Sequence, residues 1–282
     1  MKLTKLLPSL LAIVAISFTA CKKDKVADQT EFETTFELSA NQGVSDNLLQ
    51  DANEVLNEAA YDKNLQGVGK VGDVNGTTGI LSCATVTVTP LTGFPKNIVI
   101  DFGAGCTSPN GVTRRGKILV TLTDSLRRPG SVATMNFENY FVNIFKKEGT
   151  VVWTNTSTAT VKSWNRVCTN GKITNTVTNK YWLHSGTQNV IQIAGANTPL
   201  VFADDEFNIT GNRTVTNEAG NTRVGTILTP LHKKAICDNI DKGTVQIQGP
   251  SHIAIIDYGN GDCDNQATIS IDGRTPRTFT LC

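Results

Sequence analysis

Four oxygen-bearing side chains crowd into one short segment near the end of the chain, where they could act as metal ligands. Asp257, Asn260, Asp262 and Asp264 fall within eight residues. Because calcium binds six to eight oxygen ligands in flexible loops, these residues form a candidate calcium site, although their spacing is not that of an EF-hand. Asp- and Asn-Gly-rich segments are also typical of tight hairpin turns, so a purely structural role stays open.

Residues suited to nucleophilic catalysis are few and scattered. The chain has three histidines, His184, His232 and His252, and none lies in an H-E-x-x-H motif. No serine occupies a G-x-S-x-G elbow. We therefore expect a protein that is not an enzyme and that has no cofactor beyond the candidate calcium. A hydrolase whose residues meet only in the folded chain is the remaining catalytic possibility, since triads are defined by geometry.

The first twenty residues have the layout of a secretion signal. Two lysines precede an apolar run over residues 6–18, and small residues then lead into Cys21. Thirteen helical residues span about 20 Å, which is too short for a bilayer core of about 30 Å. Phe18-Thr19-Ala20-Cys21 resembles the lipobox of bacterial lipoproteins, with Phe18 where leucine is commoner. The resemblance implies that residues 1–20 are a signal peptide and that acylated Cys21 anchors the chain to a membrane.

A charged segment follows Cys21. Lys22-Lys23-Asp24-Lys25 resembles the segment that, in many Bacteroidetes lipoproteins, accompanies transport to the outer face of the outer membrane. Only one acid follows the two lysines here, and a solvated tether is the alternative. On either interpretation, we expect residues 21–44 to be an acylated, partly disordered tether.

The charge balance argues against nucleic acid as a partner. The full chain carries 26 basic and 25 acidic residues, and loss of the two signal lysines leaves 24 basic residues. Nucleic-acid binding needs a concentrated basic footprint, which this balance does not provide. The lipid on Cys21 is therefore the expected contact with the membrane.

Two kinds of element must position these residues. Apolar residues recur at three- and four-residue spacing between Ser45 and Ala60, which predicts one short helix; a Gly-rich connector completes the segment 45–80. From residue 81 onward, short runs alternate between apolar and Thr- or Asn-rich positions, as in Ile118, Val120 and Leu122. The sequence predicts a mainly β fold over residues 81–282, namely an antiparallel sandwich, open roll or barrel.

Two segments of the β region resemble each other. Ile100-Asp101-Phe102-Gly103 corresponds to Ile256-Asp257-Tyr258-Gly259, and each lies between two strands with one cysteine upstream and another just downstream. Two related units, about 81–125 and 235–282, account for this pattern.

The cysteine count indicates disulfides. Six of the seven cysteines remain once Cys21 is acylated, and an even number is typical of exported chains. Six cysteines allow fifteen pairings. If each related unit closes on itself, the favoured pairs are Cys83–Cys106 and Cys237–Cys263, which leaves Cys168 with Cys282.

Aromatic and hydroxyl side chains suggest contacts with sugars. Trp153, Trp164 and Trp182 lie in the central strands with Tyr181. We favour core packing for them, and stacking on the sugar rings of a glycan is the alternative. Asp124-Ser125-Leu126 resembles the short O-glycosylation acceptor motif of Bacteroidetes, which makes Ser125 a candidate glycosylation site.

Most of residues 81–282 resembles a widespread group of uncharacterised Bacteroidetes lipoproteins. The resemblance runs from Cys83 through Ile100-Asp101-Phe102-Gly103 and Arg115-Gly116-Lys117-Ile118 to residues 137–143. It implies a cell-envelope location and no particular activity. We therefore expect a protein lipid-anchored in the outer membrane, at the cell surface, that acts as a non-catalytic binding or adhesion module for a glycan or a protein. A periplasm-facing structural or envelope-assembly lipoprotein is the alternative.

Overall fold

One long helix and a large antiparallel sheet make up the fold. The computed structural model describes residues 20–67, 79–199 and 201–281. Residues 1–19 of the predicted signal peptide, the centre of the Gly-rich connector (68–78), Leu200 and Cys282 lie outside the described residues. The elements are α1 (Ala20–Asp62), β1 (Thr85–Thr89), β2 (Lys96–Asp101), β3 (Cys106–Thr107), β4 (Thr113–Leu122), β5 (Val132–Val142), β6 (Phe145–Asn155), β7 (Ser163–Asn175), β8 (Tyr181–Ala194), a 3-10 turn (Phe202–Asp204), β9 (Glu206–Asn217), β10 (Thr222–Lys234), β11 (Lys242–Gln248), β12 (Ile253–Asn260), β13 (Gln266–Ile271) and β14 (Arg277–Thr280).

The strands form a single meander. Each strand from β4 to β13 pairs with the next one along the chain, β2 joins β1 to β4, and the short β3 pairs with β4 alone. Among the described residues, no ladder joins the edge strands β1 and β14, so the sheet is open. The predicted mainly β fold is confirmed. Of the three predicted architectures (sandwich, open roll and barrel), the open one is found, as an open, curled sheet.

The sheet curls around α1 because several strands contain β-bulges, which bend and twist a strand. The register shifts at Gly116 in β4 and at Gly149 in β6, where φ is +80° and +108°. A Cβ atom at Gly116 would lie 1.9 Å from the carbonyl oxygen of Asn139, so only glycine fits there. The curled sheet thus contacts α1 from several sides.

The helix is longer than the sequence predicted. Residues 45–60 are helical as expected, but α1 has 43 residues and contains residues 22–44, which we expected to be a partly disordered tether. The three- and four-residue spacing of apolar residues did not predict this part of the helix, because some of its buried positions are occupied by polar residues. Thr35 is fully buried, and its Oγ1 accepts a hydrogen bond from Arg223 Nε at 2.9 Å. Within the described residues, no helix combines the length and the apolarity needed to cross a membrane.

The buried carboxylate of Asp51 shows how the helix is held inside the sheet. Asp51 Oδ1 accepts a hydrogen bond from Arg114 Nε at 3.0 Å, and its Oδ2 accepts one from the Tyr140 hydroxyl at 2.9 Å. All three side chains are buried. Burying a charge is costly unless it is paired and hydrogen-bonded, so this contact fixes α1 against β4 and β5.

The same combination of arginine and tyrosine holds a second helix carboxylate. Asp46 pairs with Arg213 of β9 and accepts a hydrogen bond from the Tyr258 hydroxyl of β12 at 3.0 Å. Glu54 pairs with Lys233 of β10, and burial raises the pKa of Glu54 to about 7 although Lys233 opposes the rise. The helix is therefore fixed by charged contacts spread across the width of the sheet.

The internal repeat is present in the structure as two copies of one turn. Asp101 Oδ1 accepts a hydrogen bond from Gly103 N at 2.8 Å, and Asp257 Oδ1 accepts one from Gly259 N at 2.9 Å. The related units lie near opposite edges of the one sheet. The disulfides Cys83–Cys106 and Cys237–Cys263 are formed as predicted, with Cα–Cα distances of 5.6 and 5.1 Å.

Replacement of Arg114 by alanine is expected to lower the free energy of unfolding by about 3–5 kcal/mol, because Asp51 would remain buried without its charged partner. Urea unfolding followed by tryptophan fluorescence measures this change. Lys117→Ala on the same strand is the control, since Lys117 and Asp101 form a partly exposed pair at 3.4 Å and solvent screens such pairs, so that they add little to stability. Equal losses for the two variants would contradict a stabilising role for the buried pair.

Candidate functional site

A pocket with an empty volume of about 420 Å³ lies beside the C-terminal half of α1. We call it the tryptophan pocket. Its apolar lining is formed by Leu56, Leu126, Trp153, Trp164, Val190 and Phe207. Its polar lining is formed by Asn53, Asn57, Gln66, Arg127, Gln192 and Asp205. Most of this volume is narrow space between atoms or open solvent, and the part clear of all atoms holds about one water-sized group.

Strand alternation places the aromatic residues in this pocket. Trp153, Trp164 and Phe207 occupy inward-facing positions of β6, β7 and β9. Trp164 lies opposite Val190 in the β7–β8 ladder, and its ring meets that of Phe207 edge-on, with centroids 6.3 Å apart and planes at 67°. Packing by neighbouring strands therefore holds the aromatic walls in place.

The indole nitrogen of Trp153 distinguishes this pocket. Trp153 is buried, and in the part of the chain that the structure describes its Nε1 has no hydrogen-bond partner. By contrast, Trp182 Nε1 donates to Ser45 Oγ at 2.8 Å. Because buried donors are nearly always paired, the free donor of Trp153 marks a position where a ligand atom or a water would be stabilised.

A chain of hydrogen-bonded polar side chains also lines the pocket. Arg127 Nη2 donates to Gln192 Oε1 at 3.2 Å, and Gln192 Nε2 donates to Asp205 Oδ1 at 2.6 Å. Burial, with a smaller effect of the charge of Asp204, raises the pKa of Asp205 to about 7, although Arg127 and Gln192 oppose the rise. Burial also lowers the pKa of Arg127. The pocket thus offers a carboxyl group that changes its charge near neutral pH.

An open depression adjoins the tryptophan pocket and shares Gln66 and Arg127 with it. Arg128 and Lys162 also line this depression, so its surface is basic. Ser125, the candidate glycosylation site, lies there too and is half-buried. Glycosylation of Ser125 stays a prediction, but the structure puts this residue next to the mouth of the pocket.

The four candidate calcium ligands are exposed in the segment from β12 to β13. Asp257 and Asp264 each accept a hydrogen bond from a backbone amide two residues further on, both at 2.9 Å. The described residues include no group of three acidic, histidine or cysteine side chains placed to hold a metal. Calcium binding by Asp257, Asn260, Asp262 and Asp264 therefore stays a prediction, and turn formation is the role for which contacts are visible.

The tryptophan prediction is confirmed in its favoured form, since Trp153, Trp164 and Trp182 are buried. Tyr181 is half-buried, with Lys172 Nζ 4.4 Å from its ring centroid. The central aromatic residues therefore do not form an exposed row.

Two residues that the sequence left far apart meet inside the sheet. Cys168 Sγ lies 3.6 Å from His184 Nδ1, and both side chains are buried. Burial raises the pKa of the Cys168 thiol and lowers the pKa of His184 well below its usual range. The pair is therefore neutral near pH 7, without the thiolate and imidazolium of an activated cysteine. Cys168 forms no disulfide within the described residues; its predicted partner Cys282 lies outside them.

Sequence reasoning missed Arg127, Gln192 and Asp205, because they come from separate loops and strands and match no motif. The one available signal was strand alternation, which puts Gln192 on the same face of its strand as Val190. Comparison of the chain with family models, with curated proteins and with solved structures found no match. The case for a function therefore depends on the geometry of the pocket.

Replacement of Asp205 by asparagine is expected to change how stability depends on pH. A carboxyl whose folded pKa is about 7, against about 4 when unfolded, makes the protein less stable as pH rises from about 4 to 7. The Asp205→Asn variant lacks this contribution, so its stability relative to the parent should increase over that range. Urea unfolding at several pH values measures the difference.

Asp204→Asn provides a second variant for the same experiment. Since Asp204 raises the pKa of Asp205, its loss should move the effect to lower pH. Parallel pH curves for the parent and Asp205→Asn would show that the carboxyl titrates normally.

Proposed function

We propose that this chain is a lipid-anchored protein of the outer membrane, displayed at the cell surface, that binds a saccharide unit of a glycan in the open depression at the mouth of the tryptophan pocket, with one hydroxyl group of the sugar entering the pocket. The unpaired indole N–H of Trp153, buried beside the ring of Trp164, is the observation that carries the proposal. A sugar hydroxyl group is about the size of a water and both donates and accepts hydrogen bonds, so it can satisfy a buried donor such as this one.

The polar lining agrees with this ligand class. Asn53, Asn57, Gln66 and Gln192 supply amides that both donate and accept hydrogen bonds, as hydroxyl groups require. The basic depression at the mouth, with Arg128 and Lys162, favours a saccharide that carries a carboxylate.

The position of the pocket along α1 supports display away from the membrane. Cys21 is close to the start of α1, and Asn53 at the pocket is 32 residues further along. At 1.5 Å per residue, a helix separates these two positions by about 50 Å. If Cys21 carries a lipid, the pocket would therefore lie far from the bilayer, because it is near the other end of α1.

Titration of the purified protein with single sugars should change its tryptophan fluorescence in a saturable way. The panel contains neutral hexoses, N-acetylglucosamine and glucuronic acid, and the uronic acid is expected to bind most tightly. Trp153→Phe should weaken the binding of the responding sugar roughly threefold to tenfold, because it removes one buried hydrogen bond worth about 1 kcal/mol.

Trp182→Phe is the matched control. Trp182 is also buried in the sheet, but its donor is satisfied by Ser45 and it does not line the pocket. Its affinity should equal that of the parent. The proposal is wrong if no sugar alters the fluorescence, or if both variants lose affinity equally.

Protease added to intact cells that express the protein should remove the β domain while a periplasmic marker protein survives. This outcome is expected for a protein anchored at Cys21 on the outer face of the outer membrane. Immunoblotting of the domain and of the marker, with and without disruption of the outer membrane, measures it.

Cys21→Ser is the accompanying variant, and it should leave the cells in the soluble fraction. If the parent is protected until the outer membrane is broken, the surface location is wrong, and the periplasm-facing structural or assembly role becomes the better proposal.

A further inference from the structure

A second, smaller cavity lies deeper in the molecule, between α1 and the inner face of β7, β8 and β9. We call it the arginine cavity; its polar lining includes Gln42, Arg166, Cys168, His184, Gln188 and Arg213. It encloses about 250 Å³ between atoms, but the part clear of all atoms holds only about one water-sized occupant. Gly186, which also lines the cavity, lies between Cys168 and Arg213 in the ladders.

The side chains around this cavity have more hydrogen-bond donors than partners. Within the described residues, Arg166 Nε and Nη1, Arg213 Nε and Nη2, and Gln188 Nε2 are buried without a hydrogen-bond partner. Each of these residues is at least 96% buried. Gln42 Oε1 and His184 Nε2, which line the same cavity, are also unpaired, but the five N–H-bearing atoms outnumber them, and buried groups of this kind are normally satisfied.

The positive charges around the cavity also exceed the negative ones. Arg213 pairs with Asp46, a carboxylate that already accepts hydrogen bonds from Tyr258 and Gln42. Arg166 bonds to the neutral amide of Gln188 and lies 5.1 Å from the centroid of the Trp153 ring.

The electrostatic effects on nearby groups agree with this excess. Burial and the charge of Arg213 together lower the pKa of Arg166 to about 9, although Asp46 opposes the change. Burial likewise lowers the pKa of His184, and the charges of Lys147, Arg213 and Arg166 add to that effect. A neutral water in the cavity would satisfy donors but would leave the charge uncompensated.

We propose that the arginine cavity binds one small monoatomic anion, of which chloride is the physiological representative, between the guanidinium groups of Arg166 and Arg213. A halide accepts several N–H hydrogen bonds at once and, as a single atom, needs less space than a polyatomic anion. Sulfate and phosphate have four oxygens around a central atom and need more space than the cavity provides. The ion would be a structural component that completes the charge balance around α1.

Thermal unfolding at constant ionic strength, with sodium gluconate replaced stepwise by sodium chloride, tests this proposal. The melting temperature of the parent should rise with chloride and level off, because a ligand that binds only the folded state stabilises it by mass action. Arg166→Gln should lose this response, and without chloride it should melt at or above the parent, since one uncompensated buried charge is gone.

Arg115→Gln is the matched control. Arg115 also stacks on an aromatic ring, with its guanidinium 3.6 Å from the Phe141 centroid, but it lies on the exposed face of β4. This variant should keep the full chloride response. A response that does not level off, or that is equal in Arg166→Gln, would overturn the proposal.

Crystals of the parent grown in bromide provide a second readout that does not depend on the folding of a variant. Anomalous scattering should reveal one bromide between Arg166 and Arg213. A clear map of the cavity with water or no density at that position would overturn the proposal, whatever the thermal data show.

Discussion

The carboxylates of a helix enclosed by a curled sheet impose the main constraint on this fold. Asp46, Asp51 and Glu54 cannot reach bulk water, and an ionised side chain is costly to bury without a charged or hydrogen-bonding partner. The strands supply those partners from β4, β9 and β10, through Arg114, Arg213 and Lys233. Because each pair joins one helix position to one strand position, the register of α1 within the sheet is determined by charge as well as by packing.

On the inner face of the central strands, an apolar cross-strand pair of residues is followed by a polar pair. This explains why the tryptophan pocket and the arginine cavity lie next to each other. Trp164 and Val190 are paired in an apolar row, and Arg166 and Gln188 are paired in the following row. The guanidinium of Arg166 lies over the Trp153 ring, so one side chain forms part of the wall between the cavities. A ligand in the tryptophan pocket and an ion in the arginine cavity would therefore act on the same stacked pair.

The β fold and two disulfides were predictable because they depend on local alternation and on an internal repeat. The extent of α1 was not, since positions such as Thr35 are polar and yet buried by partners on distant strands. The same reason hid both cavities. Arg166 shares a strand face with Trp164, and Gln188 shares one with Val190, because residues two apart on a strand point the same way. This alternation was the only local sign that Arg166 and Gln188 point inward. Which polar residues meet there depends on the curl of the sheet, which bulges at positions such as Gly116 produce.

The long helix also connects the two ends of the molecule mechanically. Residues 25–30 are exposed, whereas the positions from Thr35 to Ala60 are mostly buried, so α1 emerges from the sheet on the side of Cys21. A disordered tether would let the domain rotate freely above a membrane, but a continuous helix restricts it to orientations that the helix permits. If Cys21 carries the lipid, the same element that bears the anchor contributes Asn53 to the tryptophan pocket. The helical anchor would then determine the direction in which the pocket faces, which a binding protein at a cell surface requires to meet its ligand.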